Sequence, residues 1–360
     1  MTTFAQVLAQ HYANAPDRPA IHLQFTKRND LTLTYGDLLR GAAGFANLLS
    51  QHGIGQGDVV VTILQHGEPL VYAFWGAILH GAVPAILPPL TEKLLPERYR
   101  KDLAALIQVT RPRAIVTYPE FAHEVELAIR AAAMAAAAPV MIAVDAVTPV
   151  APDFAALGGL RREASDIVLL QHSSGSTGLQ KGVALSHRAV FNQLDAYAPA
   201  IELSESDVIV SWLPLYHDMG LIASFVLPVL RRVPLVLMSP FDWVRAPIRL
   251  MQAITRYRGT LTWLPNFAYN FCATRIRERD LDGIDLSSLK AFINCSEPVY
   301  AESHRTFAER FAAYGFQPEA LTTCYAMAEN TFAVTQGGID GYPGGWNCRN
   351  EYFIPSMIHE

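Results

Sequence analysis

Between residues 166 and 187 the chain reads DIVLLQHSSGSTGLQKGVALSH, and the residue types in its middle are those that hold phosphate. Ser173, Ser174, Gly175, Ser176, Thr177 and Gly178 form a hydroxyl- and glycine-rich loop, with Lys181 just behind it. Glycine permits close approach and positive φ, so backbone N–H groups and hydroxyls can converge on phosphate oxygens while a lysine supplies charge. A flexible Ser/Gly linker is the plain alternative, but linkers seldom follow a strand-like run such as Ile167 to Gln171 or precede a lysine and a helix start. Two familiar phosphate loops fail here. Lys181 sits between Gln180 and Gly182, which breaks the G-x-x-x-x-G-K-[ST] pattern, and Gly175, Gly178 and Gly182 do not make G-x-G-x-x-G. No G-x-S-x-G elbow surrounds the serines, so a serine hydrolase has no motif support.

Further polar clusters recur downstream: LPLYHDMGL at 213–221, NCSEPV at 294–299 and CYAMAENT at 324–331. Taken singly, His217 with Asp218 reads as a helix cap, Asn294 as a turn and Glu329 as an exposed acid. Their meaning depends on the elements that position them. Each cluster follows a strand-like run, and in a doubly wound sheet such strand ends meet in one crevice.

Those elements alternate through the chain. In the first part, helical spacing over Tyr35–His52, Glu68–His80, Glu97–Val109 and Glu120–Ala138 is interleaved with apolar runs at Val59–Leu64, Val83–Leu87, Ala114–Thr117 and Val140–Val144. The Pro/Gly/Ala-rich stretch between Thr148 and Ser165 is the best internal boundary, predicting a first unit over 1–160, a second over 161–336 and a remainder at 337–360. In the second unit, strands are expected at Ile167–Gln171, Val208–Trp212, Leu235–Met238, Thr260–Trp263, Ala291–Asn294 and Leu321–Cys324. Helices are expected at Arg188–Ala198, Leu221–Leu230, Trp243–Tyr257, Asn266–Arg277 and Ala301–Tyr314. Alternation of this kind argues for parallel strands with helical crossovers.

Composition narrows the class. A chain of 360 residues with 51% hydrophobic and 17% charged residues can bury more than one core. The net charge of −5 removes the electrostatic argument for nucleic acid. Apolar stretches are interrupted by His80 and Pro84, by Arg130 and Pro139, or by Pro228 and Arg231, so no membrane span is expected. Cys272, Cys295, Cys324 and Cys348 are scattered without a C-x-x-C pair, which points to reduced thiols and a cytoplasmic setting.

With these residues in view, the chain resembles the adenylate-forming superfamily of acyl-CoA synthetases, fatty acyl-AMP ligases and nonribosomal adenylation domains. SSGSTGLQKG (173–182), YHDMGL (216–221), PNFAY (265–269), SEPV (296–299) and YAMAENT (325–331) carry the resemblance in order, and YHDMGL, PNFAY and the AEN ending look most like the fatty acyl-AMP ligases. The resemblance implies an α/β fold of two packed doubly wound sheets flanked by helices, the N-terminal domain of such an enzyme without its small C-terminal domain. It implies ATP and Mg²⁺ as cofactors. A medium- or long-chain fatty acid would be adenylated with release of pyrophosphate, then passed to a carrier-protein phosphopantetheine thiol, with CoA as the alternative acceptor.

By the same resemblance Ser173 to Gly178, above all Thr177, and Lys181 would cradle the phosphates, and Glu329 would hold Mg²⁺. Tyr325, Ala326 and Met327 would flank the adenine, with Ser296, Glu297 and Pro298 closing the other side. His217 would stand between phosphates and acyl entry, beside Asp218, while Trp212, Met219, Leu221, Trp263, Asn266, Phe267 and Tyr269 would border the acyl group. The chain departs from the pattern at Ala326, where many relatives have glycine, and at Ser173, where threonine is frequent. Members usually continue into a segment with a ribose-binding Asp and a catalytic Lys, so the 360 residues are expected to be the large N-terminal portion, impaired in adenylation by itself. The tail from Gly337 to Glu360 is expected to begin an insertion, which favours the acyl-AMP ligases over CoA-forming relatives. A non-catalytic nucleotide-binding module is the competing class.

Overall fold

The computed structural model describes residues 2–90, 95–132, 138–173, 181–338 and 351–353, with the side chains of Ser173, Lys181 and 351–353 left aside. The chain forms two compact units, one of residues 1–18 and 34–188, the other of 19–33 and 189–360. In chain order the strands are β1 (Pro19–Gln24), β2 (Leu31–Thr34), β3 (Val59–Ile63), β4 (Val83–Ile86), β5 (Ala114–Thr117), β6 (Val140–Ala143), β7 (Ile167–Ser173) and β8 (Lys181–Ser186). There follow β9 (Ile209–Ser211), β10 (Leu235–Met238), β11 (Leu261–Leu264), β12 (Ala291–Asn294), β13 (Leu321–Ala326), β14 (Ala333–Gly337) and β15 (Glu351–Phe353).

The first unit is built on a sheet ordered β6-β5-β3-β4-β7-β8. Its central strands are continuous apolar runs, VVVTI in β3 and AIVT in β5, because helices cover both faces and leave no polar side. Helix Glu68–His80 is apolar nearly all round and buries Leu70 to Leu79; Pro69 opens it and Gly81, at φ +93°, ends it. It packs against helix Tyr35–Gln51, which a Thr34/Asp37 capping box starts. The helices approach so closely that a Cβ on Gly76 would lie 2.6 Å from the Ala42 carbonyl oxygen.

Here the structure departs from expectation. Lys181 begins a strand that was not expected, β8, antiparallel to β7 in a register that pairs Ser173 with Lys181, and the helix expected at Arg188–Ala198 follows it as His187–Ala200. Since β7 also pairs with β4, the segment around the phosphate-loop candidate completes the first sheet, and the stretch 148–165 lies inside the first unit rather than between units.

The second unit carries a sheet ordered β15-β14-β13-β12-β11-β9-β10-β1-β2. From β13 to β1 the pairings are parallel, and β14 and β15 add an antiparallel edge. β1 and β2 were not foreseen; β1 belongs here because Ile21 to Gln24 pair with Leu235 to Met238. The expected helix Trp243–Tyr257 is two, Pro240–Arg245 and Ile248–Tyr257, interrupted at Pro247, and Leu221–Leu230 is a π-helix, Met219–Val226, followed by Leu227–Arg231. Of the segment 337–360, expected to begin an insertion, Gly337 ends β14 and Glu351–Phe353 form β15, while 339–350 and 354–360 lie outside the described residues.

The topology fixes where a ligand can sit in this unit. From β9 the chain passes to β10 on one side and then returns across β9 to β11, β12 and β13 on the other. Such a reversal opens a crevice at the carboxyl ends of the strands on either side of it.

Candidate active site

Four turns leave the carboxyl ends of β9, β11, β12 and β13 in the second unit. After β9, Trp212 to Met219 run through Pro214 and His217, where the His217 amide donates to the Pro214 carbonyl at 3.2 Å. Gly220 is required there, since a Cβ would lie 2.2 Å from the Pro214 oxygen. Asp218 accepts the Met219 N–H at 2.8 Å and starts the π-helix. After β12, Ser296 takes φ +77°, a left-handed conformation that costs a non-glycine residue about 1–3 kcal/mol and persists where surroundings over-determine it. They do so here: the Ser296 hydroxyl donates to the Met219 sulfur at 3.7 Å, and the Glu297 carboxylate accepts the Phe267 N–H. Three separate turns are thereby tied together.

The turn after β13 is held by its own backbone. The Met327 N–H donates to the Phe332 carbonyl at 2.8 Å, and the Asn330 side-chain amide to the Ala333 carbonyl at 2.7 Å. This presents Tyr325 at 59% and Met327 at 39% exposure, apolar groups that a planar ring could cover, with Ala326 between them. Glu329 is exposed and makes no ion pair or hydrogen bond among the described residues.

Electrostatics binds this turn to the one after β9. Burial raises the Asp218 pKa, the Met219 N–H and His217 oppose the rise, and the Glu329 charge adds to it. His217 is exposed, yet neighbouring protein strips part of the water from its ring, which lowers its pKa despite the opposing Asp218. It is therefore neutral at pH 7, able to accept or donate one hydrogen bond. Two carboxylates within electrostatic reach of each other favour a cation between or beside them. No group of three or more His, Cys, Asp or Glu suited to a metal occurs among the described residues.

Aromatic residues collect on the other side, at the ends of β9, β10 and β11. Trp212 stacks on Trp243 with centroids 3.6 Å apart and planes 7° from parallel. Phe267 meets both edge-on, at 6.3 and 6.2 Å, and remains 47% exposed. Neither indole N–H has a partner among the described residues. Trp243 escaped the sequence reading; its only signal was its place just after a strand, the same place that marked the other clusters. Trp263 and Tyr269, expected beside the acyl group, are fully buried: the Trp263 indole donates to Tyr197 at 2.8 Å and the Tyr269 hydroxyl to the Phe292 carbonyl at 2.9 Å. Leu221 and Met219 are buried in the π-helix.

Asn266, 4% exposed, has its amide engaged within the protein: Oδ1 accepts from Asn294 at 3.1 Å and from the Tyr300 N–H at 3.0 Å, and Nδ2 donates to Ser303 at 3.1 Å. Asn294 and His304, which complete this network, were not singled out as site residues from the sequence. Ser174, Gly175, Ser176, Thr177 and Gly178 and the side chains of Ser173 and Lys181 lie outside the described residues; β7 and β8 show only that the two ends of their loop are paired backbone to backbone. Before that loop, His172 is buried with no partner for either ring nitrogen among the described residues.

Known proteins share the sequence pattern and the fold. The model of the AMP-binding enzyme family matches residues 8–351. A 4-hydroxyphenylalkanoate adenylyltransferase of Mycobacterium tuberculosis is 32% identical over 78% of this chain and 45% of its own length. The long-chain-fatty-acid–AMP ligase FadD26 of Mycobacterium bovis is 31% identical over 84% of this chain and 51% of its own. The chain thus spans about half the length of the curated relatives it matches. Among solved structures, a fatty acyl-adenylate ligase from Legionella pneumophila in complex with acyl adenylate and pyrophosphate superposes with a TM-score of 0.81 at 27% identity, covering 99% of this chain and 62% of that one. A sheet that reverses at β9, turns that meet at its carboxyl edge and a family match spanning almost the whole sequence agree, and the chain belongs to the AMP-binding enzymes, with fatty acyl-AMP ligases among its relatives.

Proposed function

We propose that this protein activates a medium- or long-chain fatty acid with ATP and hands the acyl group to the phosphopantetheine thiol of a carrier protein. The observation that supports this reading is the contact between the turns after β9 and β12, with Glu329 on the turn after β13 close enough for its charge to act on Asp218 and with Tyr325 and Met327 exposed beside it. The substrate carboxylate oxygen attacks the α-phosphorus, the bond to the bridging oxygen breaks, and pyrophosphate leaves. Ser173 to Gly178, chiefly Thr177, and Lys181 donate to the departing phosphates, whose growing charge needs preorganised donors. When bound, Mg²⁺ at Glu329 would neutralise phosphate charge. Tyr325, Ala326 and Met327 form one wall of the adenine slot and Ser296 to Pro298 the other, while His217 orients the carboxylate. Phe267, 47% exposed and backed by the buried Trp212–Trp243 stack, offers an apolar surface for the chain beyond the carboxyl group.

Support for the acyl class comes from the long-chain-fatty-acid–AMP ligase among the relatives, and support for a carrier protein from the acyl-AMP ligase character of YHDMGL and PNFAY. A cytoplasmic reaction suits Cys272, Cys295 and Cys324, which are free, buried thiols, and no helix among the described residues is long and apolar enough to cross a membrane. The acceptor is tested by supplying fatty acid, ATP and either a phosphopantetheinylated carrier protein or CoA. Acyl-carrier thioester should accumulate; rapid acyl-CoA formation with an idle carrier protein would reverse the assignment.

A further inference from the structure

Behind the strained turn after β12 lies a buried polar network in which Asn266 and Asn294 come from the polar clusters and His304, Ser303 and Asn270 do not. The Asn294 side-chain nitrogen donates to Asn266 Oδ1 at 3.1 Å and contacts His304 Nε2 at 2.8 Å. Because an amide nitrogen only donates, Nε2 must be the acceptor, so the ring is neutral with its proton on Nδ1. Burial keeps it so, lowering the His304 pKa to about 4. Asn266 then fixes the Tyr300 N–H, and Ser303, next to His304, accepts from both Asn266 and Asn270, at 3.1 and 2.9 Å.

These bonds hold both ends of the turn. Asn294 is the last residue of β12, and Tyr300 to His304 open helix Ala301–Phe311, so residues 295–299 span two anchored points. Between the anchors Ser296 keeps its positive φ. Asn294, His304, Ser303 and Asn266 are all at most 4% exposed, so loss of one acceptor leaves a donor buried without a partner.

We propose that His304 is a positioning residue for nucleotide binding: as the acceptor for Asn294 it sets the shape of the Ser296–Pro298 turn without touching the nucleotide itself. The inference rests on the reading of that turn as a wall of the adenine slot. It differs from a general packing role, because what matters is the lone pair at Nε2 rather than the volume of the ring.

The test compares His304→Leu with His304→Gln in fatty-acid-dependent ATP–pyrophosphate exchange and in direct titration with ATP. Leucine fills the space and removes the acceptor, whereas the glutamine Oε1 can take the Asn294 proton. H304L should raise the KM and Kd for ATP about tenfold with the fatty-acid KM within about twofold, and H304Q should stay within about threefold of wild type in all of them. Wild-type ATP affinity in H304L, equal impairment in H304Q, or a parallel rise of both KM values would overturn the proposal. If H304L does not fold, Ser303→Ala removes the next acceptor in the chain and should raise the ATP KM about threefold alone; an unchanged value would overturn it equally. A wild-type protein that binds no ATP would instead defeat the adenylation reading, and this proposal with it.

Discussion

Replacing Glu329 by glutamine is expected to lower ATP–pyrophosphate exchange by about a hundredfold, or about 2.7 kcal/mol of transition-state stabilisation, while adenosine nucleotides without Mg²⁺ bind within about threefold of wild type. The structure separates these effects. Glu329 is exposed and makes no hydrogen bond or ion pair among the described residues, and its turn is held by the Met327–Phe332 and Asn330–Ala333 bonds, so the substitution leaves the fold and the Tyr325–Met327 turn in place. What disappears is a hard anionic oxygen near Asp218. Removing that charge also relieves one cause of the raised Asp218 pKa, so the neighbouring carboxyl ionises more readily in the variant. Titrating Mg²⁺ into exchange assays of both proteins checks the effect: the variant should require much more metal. Equal losses in nucleotide binding and in exchange would mean that Glu329 supports the turn rather than the metal.

Acidification should destabilise the protein well before its carboxylates titrate. His172, His187 and His304 are each less than 7% exposed, and burial holds all three near a pKa of about 4, with the Arg162 charge adding to the effect at His187. His187 Nδ1 accepts the Phe4 N–H at 3.2 Å and His304 Nε2 accepts from Asn294, contacts that require unprotonated nitrogens. In the unfolded chain these rings take up protons near 6.5. Between pH 6.5 and 4 the unfolded state therefore binds more protons, so stability falls as pH falls through that window. At pH 5 each histidine costs about 2 kcal/mol and the three together about 6 kcal/mol, a large share of the usual stability of a domain. The ion-paired Asp37, Glu124 and Asp285, whose pKa values are lowered, contribute only at more acid pH. Urea unfolding at pH 7.5 and 5.0 measures this: the midpoint should fall steeply, and His172→Gln should remove about a third of the fall. An unchanged midpoint would contradict it.

The chemistry of the site was more legible in the sequence than its support. β3, β5, β10, β11 and β12 stood out as short apolar runs because both of their faces are covered, and that burial leaves no room for polar alternation. The turns that follow several of them were legible because His217, Ser296 and Glu329 lie shortly after strand ends, where polar groups are conspicuous. β1 could not be read, since PAIHLQ gains its meaning from Leu235 to Met238, more than two hundred residues away. β8 was obscured because Lys181 and Gly182 read as the end of a loop before a helix start until β7 supplies an antiparallel partner. The π-helix from Met219 has the same apolar residues as an ordinary helix, and only its hydrogen bonds distinguish it. Trp243 and His304 were invisible for a related reason. Their importance lies in one stacking partner and one amide, and neither contact leaves a periodic trace.

The most direct measurement of the central claim is the product itself. Protein incubated with a fatty acid, ATP and Mg²⁺, then quenched and analysed by mass spectrometry, should yield acyl-AMP and pyrophosphate in equal amounts, with none when the fatty acid is omitted. ATP left intact, or split to ADP and phosphate with no acyl-AMP at any chain length, would contradict the account.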